Sequence, residues 1–158
     1  MRLVIVLMTM LLPAISMAQI PAIEQLGNEA SQHENVEYES VGSFMIGMAQ
    51  TFANKEQRST FKMLDHIDLI ECRNAAYEQT LEQRTLAIAK SIGATYLASS
   101  TDERGRNDVY ILKKGDIVNE VIIITHGKNG GLAVVVMSGN IPINRLGELS
   151  KLSNPKKE

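Results

Sequence analysis

The chain predicts an α+β domain, a two-layer sandwich with helices on one face of a mainly antiparallel sheet. Three observations predict it. An apolar stripe of helical period runs from Tyr77 to Ile92, and the apolar period changes from 3.6 to 2 after Gly93. Four later apolar runs are then joined by connections of only a few residues. Connections that short join antiparallel neighbours, because a parallel crossover takes a dozen residues or more. The predicted order is strand, helix, strand, helix, four consecutive strands and a closing helix.

The first element is an address. Residues 1–19 read MRLVIVLMTMLLPAISMAQ, with Arg2 as a positive start and an apolar run over residues 3–12 broken only by Thr9. Pro13 ends any helix there, and Ser16-Met17-Ala18 puts small residues where a signal peptidase reads. The apolar core is closer to the ~7–15 residues of a signal peptide than to the ~20 of a membrane span. Residues 1–18 are therefore expected to be a signal peptide cut between Ala18 and Gln19, an uncleaved anchor being the rival reading. A soluble periplasmic or secreted domain with no stable membrane span follows. A lipoprotein needs a cysteine at the cut, and the single cysteine is Cys72.

Residues 19–35 are polar, acidic and weakly periodic, and are expected to be a flexible N-terminal arm. Residues 36–152 are expected to form one α+β domain, followed by a disordered tail at 153–158. The composition, 44% hydrophobic and 22% charged, is ordinary for a globular domain. The net charge of −2 becomes −3 when Arg2 leaves with the leader, which points away from nucleic acid.

Within the domain, residues 36–41 alternate as a strand, with Val36 and Tyr38 on one face and Glu37 and Glu39 on the other. Gly42 ends it, and Ser43 is the predicted N-cap of a helix carrying Met45, Met48, Ala49 and Phe52. Gly47 inside that helix costs about 1 kcal/mol relative to alanine. Residues 54–59 form a polar interruption before a second strand around Ile67, Leu69 and Ile70. Asn74 caps the clearest helix, in which Tyr77, Leu81, Ile88 and Ile92 share a stripe. Lys90 lies in its last turn, where the dipole favours a cation, and Gly93 ends it. Strands are then predicted at 95–99, 109–112, 117–125 and 132–137. The continuous β-branched runs at 121–124 and 134–136 make the last two central. Gly139-Asn140 closes the sheet, and Ile143, Leu146, Leu149 and Leu152 suit a short terminal helix.

The C-terminal third carries a resemblance. The hairpin Val121-Ile122-Ile123-Ile124-Thr125-His126-Gly127 with Leu132-Ala133-Val134-Val135-Val136-Met137-Ser138-Gly139 leads into Asn140-Ile141-Pro142-Ile143-Asn144-Arg145-Leu146-Gly147-Glu148-Leu149. Together with the leader, the Ser-Phe-Met-Ile-Gly-Met helix start and the Ile-Glu-Cys strand, this resembles the bacterial family called domain of unknown function 4252, over residues 36–152. The resemblance implies export from a Gram-negative cell. Many members carry a lipoprotein cysteine that this chain lacks, and the family has no established catalytic residues to transfer.

Residues that might carry chemistry are scattered. His33, His66 and His126 lack metal-ligand spacing, and no paired cysteines are present. His66 between Asp65 and Asp68 is either a fragment of a metal site or, more commonly, a solvated helix end. Gly127-Lys128-Asn129-Gly130-Gly131 looks superficially like a phosphate loop, but a strand follows it, so it reads as hairpin chemistry. Residues 101–108, TDERGRND, read as a solvated hairpin tip that guards the sheet edge, with a partner-recognition loop as the minority reading. Cys72 in a strand-like run is expected to be a buried structural thiol, and a catalytic role would need a histidine base. Met45, Met48 and Met63 are core residues by default, or line a groove between helix and sheet for a lipid or peptide.

No catalytic, cofactor-binding or metal-ligating residue is assigned, and no cofactor is expected. The leading expectation is an exported, non-enzymatic binding domain acting on an unknown protein or apolar ligand of the envelope. A small thiol-dependent hydrolase using Cys72, and an accessory or regulatory partner of an envelope stress system, are the alternatives.

Overall fold

A computed structural model describes residues 20–152. The signal peptide expected at 1–18 and the tail at 153–158 lie outside the described residues.

The described chain opens with a helix, α1 (Pro21–Ala30), where the sequence suggested an arm. Proline at the first helical position is favourable because its missing N–H would be unsatisfied there anyway. Ile23, Leu26 and Ala30 are fully buried while Glu24, Gln25 and Asn28 face solvent. The polar residues that made this stretch look disordered are the outer face of a docked amphipathic helix. Gly27 sets its depth, since a Cβ there would fall inside the ring of Tyr38.

The chain then runs through β1 (Val36–Gly42), α2 (Ser43–Phe52), α3 (Lys55–Phe61), β2 (Leu64–Cys72) and α4 (Ala75–Ser91). The cap of α2 is Gly42, and Ser43 is its first helical residue instead. Helix α3 occupies the stretch expected to be a polar interruption. Asn54 and Gln57 make a capping box, Asn54 Oδ1 accepting from Gln57 N at 2.9 Å and Gln57 Oε1 from Asn54 N at 3.3 Å. Asn74 caps α4 by accepting from Ala76 N at 3.1 Å, and Gly93 leaves it at φ +82°. Tyr77, Leu81, Thr85 and Ala89 form its buried stripe, with Ile88 and Ile92 half-buried beside them.

The meander follows as β3 (Thr95–Thr101), β4 (Gly105–Lys114), β5 (Ile117–Gly127) and β6 (Leu132–Pro142), then a 3-10 turn at Ile143–Arg145 and α5 (Leu146–Leu152). All six strands form one sheet in the order β1-β2-β6-β5-β4-β3, and every pairing is antiparallel. The α+β class, the antiparallel meander and the central position of β5 and β6 are as the sequence predicts. Gly139 does not close the sheet. It continues β6 opposite Leu64, where a Cβ would strike the carbonyl of Met63.

Helices cover both faces of this sheet. On one, α1 and α4 pack over Ile70, Cys72, Ile122, Ile124, Leu132, Val134 and Val136. On the other, Ile46 of α2 and Leu149 of α5 join Met63, Ile111, Val121, Met137 and Ile141. The expectation of helices on one face is thus extended. Adjacent residues of a strand point to opposite faces, so continuous β-branched runs in β5 and β6 require cover on both.

Candidate functional site

Even-numbered side chains over 36–40, 66–72, 120–124 and 132–138 share the face under α1 and α4, while register shifts put Leu64 and Val118 in the other core. Toward the β1-α2 end of that face the apolar residues give way to polar ones. Register places Ser40 opposite Asp68, and His66 and Glu120 on either side of Ser138. Tyr38 donates its hydroxyl to Asp68 Oδ1 at 2.7 Å, and Ser138 donates to Glu120 Oε2 at 2.5 Å. His66 Nε2 lies 2.8 Å from Ser40 Oγ and 3.3 Å from Asp68 Oδ1. Asp68, Ser138 and Glu120 are buried, and the His66 side chain is only 13% exposed.

The electrostatics follow from that burial. Desolvation pushes the Glu120 carboxyl up to about 7, and the charges of Asp68 and Asp65 push the same way, against the Ser138 hydrogen bond. The Tyr38 hydroxyl is pushed up to about 12, first by burial and then by its bond to Asp68. The strip can therefore hold a proton on Glu120 near neutral pH. It is not a nucleophile relay. In a serine triad the acid bonds the nitrogen opposite the nucleophile, whereas here Ser40 and Asp68 share His66 Nε2.

Sequence reasoning reached Asp65, His66 and Asp68 but put them at a helix end; they lie in β2. It missed Ser40, Glu120 and Ser138 as a group. The available signal was Glu120 standing in phase with Ile122 and Ile124, a charge at a core-facing position of a central strand. Among the described residues no three His, Cys, Asp or Glu side chains converge as a metal site would require.

The remaining candidates are kept apart by the fold. His33 stacks on Tyr77 at 3.9 Å between ring centroids. His126 Nε2 faces Glu82 Oε1 at 3.2 Å and Asp108 Oδ2 at 3.7 Å. Cys72 is 1% exposed, its Sγ donates to the carbonyl of Asn74 at 3.5 Å, and burial pushes its thiol up. That burial opposes a nucleophilic thiolate. The loop at 127–131 is a tight turn with Gly130 and Gly131 at positive φ, and Glu78 accepts from Gly131 N at 3.0 Å. At the other hairpin tip Asp102 accepts from Arg104 N and Gly105 N, and these amides hold its carboxyl below the usual range.

The three methionines separate. Met63 is buried in the second core, while Met45 and Met48 point outward from α2 together with Phe44 and Phe52. No gap between α2 and the sheet is needed to expose them; they sit on the outer side of the helix. A shallow cleft of about 440 Å³ lies between α3 and α5, lined by Lys55, Glu56, Ser59, Arg145 and Glu148. Two of its charges are engaged with each other, since Arg145 makes a two-pronged pair with Glu148 at 2.6 and 2.9 Å. No helix among the described residues is long and apolar enough to cross a membrane.

No curated protein and no solved structure matches the chain. Residues 30–149, from the end of α1 through most of α5 and including every strand, match the family described as Domain of unknown function (DUF4252). That span covers the whole sheet, the polar strip and both cores apart from Ile20, Ile23 and Leu26, and on it the chain belongs to this family.

Proposed function

We propose that the protein is an exported binding domain of the bacterial envelope, whose working surface is the outer side of α2 laid against a phospholipid headgroup layer. The observation that carries this reading is four large apolar side chains exposed on one short helix: Phe44 77%, Met45 54%, Met48 47% and Phe52 89%. Soluble domains seldom present contiguous apolar surface without a use for it. Phe44, Met48 and Phe52 recur every fourth residue and form one stripe, while Ile46 anchors the opposite side of the helix in the second core. Lys55, Arg58 and Lys62 follow on and just after α3, all exposed, and give the stripe a basic border. Apolar side chains next to cations suit the boundary between acyl chains and anionic headgroups. The expected signal peptide supports the reading by delivering the domain to a compartment bounded by membranes.

Co-sedimentation with vesicles of phosphatidylglycerol and phosphatidylethanolamine tests this. The wild-type mature protein partitions onto them, and the Phe44→Ser/Phe52→Ser double variant loses at least about tenfold in partitioning, since each buried aromatic is worth ~1.5–3 kcal/mol. Lys55→Glu/Lys62→Glu weakens binding to the anionic vesicles and leaves purely zwitterionic ones unaffected. Absence of wild-type binding, or binding indifferent to the loss of both phenylalanines, overturns the reading.

A further inference from the structure

We infer that β3 is a self-pairing edge, through which two copies of this chain join their sheets antiparallel about a two-fold axis. The strand ends the sheet, with β4 as its one neighbour. All seven of its residues, Thr95-Tyr96-Leu97-Ala98-Ser99-Ser100-Thr101, are exposed, Tyr96 at 56% and Leu97 at 48%. It carries no charge and no proline, the two common devices that keep an edge from pairing. The other edge, β1, is guarded by Glu37 and Glu39, which an antiparallel copy of β1 would set against like charges. A bulge between Tyr96 and Ala98 bends the start of β3 but leaves residues 98–101 in regular register with β4. A second copy has a four-residue template there.

Charge selects that copy and its direction. Beyond the C-terminal end of β3 the hairpin tip carries the exposed acid Glu103, while its neighbour Asp102 is paired with Arg104 at 3.6 Å. Beside its N-terminal end stand Lys113 and Lys114 of β4, two and three residues past Ile111, the partner of Thr95. Antiparallel pairing of β3 with itself turns each copy's Glu103 toward the other copy's lysines. The two-fold makes this happen twice, so the contact is self-complementary and closed. Parallel pairing would set acid against acid and lysine against lysine.

Sedimentation equilibrium on the mature protein over a range of concentrations reads this out. A monomer–dimer equilibrium is expected. Ser99→Pro, which removes a donor from the free edge, shifts it to monomer while circular dichroism shows an intact fold. Glu103→Lys weakens the dimer about tenfold, because two exposed attractive pairs become repulsive, and adding Lys113→Glu to the same chain restores it. That rescue is independent of whether the proline variant folds. A monomer at every concentration overturns the inference, as does a dimer that neither Ser99→Pro nor the charge reversal disturbs. Both sets of changes leave α2 untouched, so failure here and failure of vesicle binding are distinguishable.

Discussion

Glu120→Gln gives the clearest test of the buried end of the polar strip. Glu120 sits on a central strand, 9% exposed, with Ser138 donating to its Oε2 at 2.5 Å. Its carboxyl is raised from the ordinary 4.5 to about 7, chiefly by desolvation, so the folded protein binds this proton more tightly than the unfolded chain does. Between those two values the native state holds more protons than the unfolded state, and linkage then makes stability fall as pH rises. The penalty is absent below the unfolded value, grows through the window, and is fully present above about 7. The shift corresponds at most to ~3.4 kcal/mol at 1.36 kcal/mol per pKa unit; partial solvent screening brings the expectation to about 2–3 kcal/mol. Glutamine keeps the shape and still accepts from Ser138, but has no charge to desolvate. Urea unfolding of wild type and variant at a series of pH values measures the difference. Near pH 4.5 the two proteins should be about equally stable, and above pH 7 the variant should be the more stable by that 2–3 kcal/mol. Curves that stay parallel across the whole range refute the reasoning, because the difference cancels every titration the two proteins share.

Two further outcomes are expected. Gly27→Ala should lower stability by ~1–2 kcal/mol, the new methyl displacing the Tyr38 ring and its 2.7 Å bond to Asp68, while Gly47→Ala, which meets nothing within 4 Å, should raise it by up to ~1 kcal/mol; thermal midpoints moving in the same direction would contradict the packing argument. Cys72, at 1% exposure with its thiol pushed up, should react with a thiol reagent at least about a thousandfold more slowly in the folded protein than in denaturant, and fast labelling at neutral pH would reopen the nucleophile reading.

Much of this architecture was legible along the chain, and the misses share a cause. Helix α4 could be read because its cap, its stripe and its terminal glycine are all local signals. The meander could be read because the turns at 102–105, 114–116 and 128–131 are short and chemically explicit. Helices α1 and α3 read as irregular chain along the sequence because their exposed residues outnumber their buried ones. In α1 three apolar contacts, Ile23, Leu26 and Ala30, together with Gly27 against Tyr38, outweigh a polar composition. In α3 the capping box was visible as Asn54 and Gln57, but a seven-residue helix has too few positions to show a period.

The sequence by itself determined the α+β class, the antiparallel order of the last four strands, the central place of β5 and β6, and the family. Periodicity, turn chemistry and β-branched runs are properties of neighbours along the chain, and they need no distant partner to be read. Tertiary structure alone decided three other things. Helices lie on both faces, because the second faces of β5 and β6 must also be covered. Ser40, His66, Asp68, Glu120 and Ser138 share one polar strip only because the chain returns β6 between β2 and β5. Phe44, Met48 and Phe52 face outward although their spacing is equally that of a core stripe. A helical period says that one side is apolar; which side meets the sheet is settled by whichever residue, here Ile46, fits the space the strands leave.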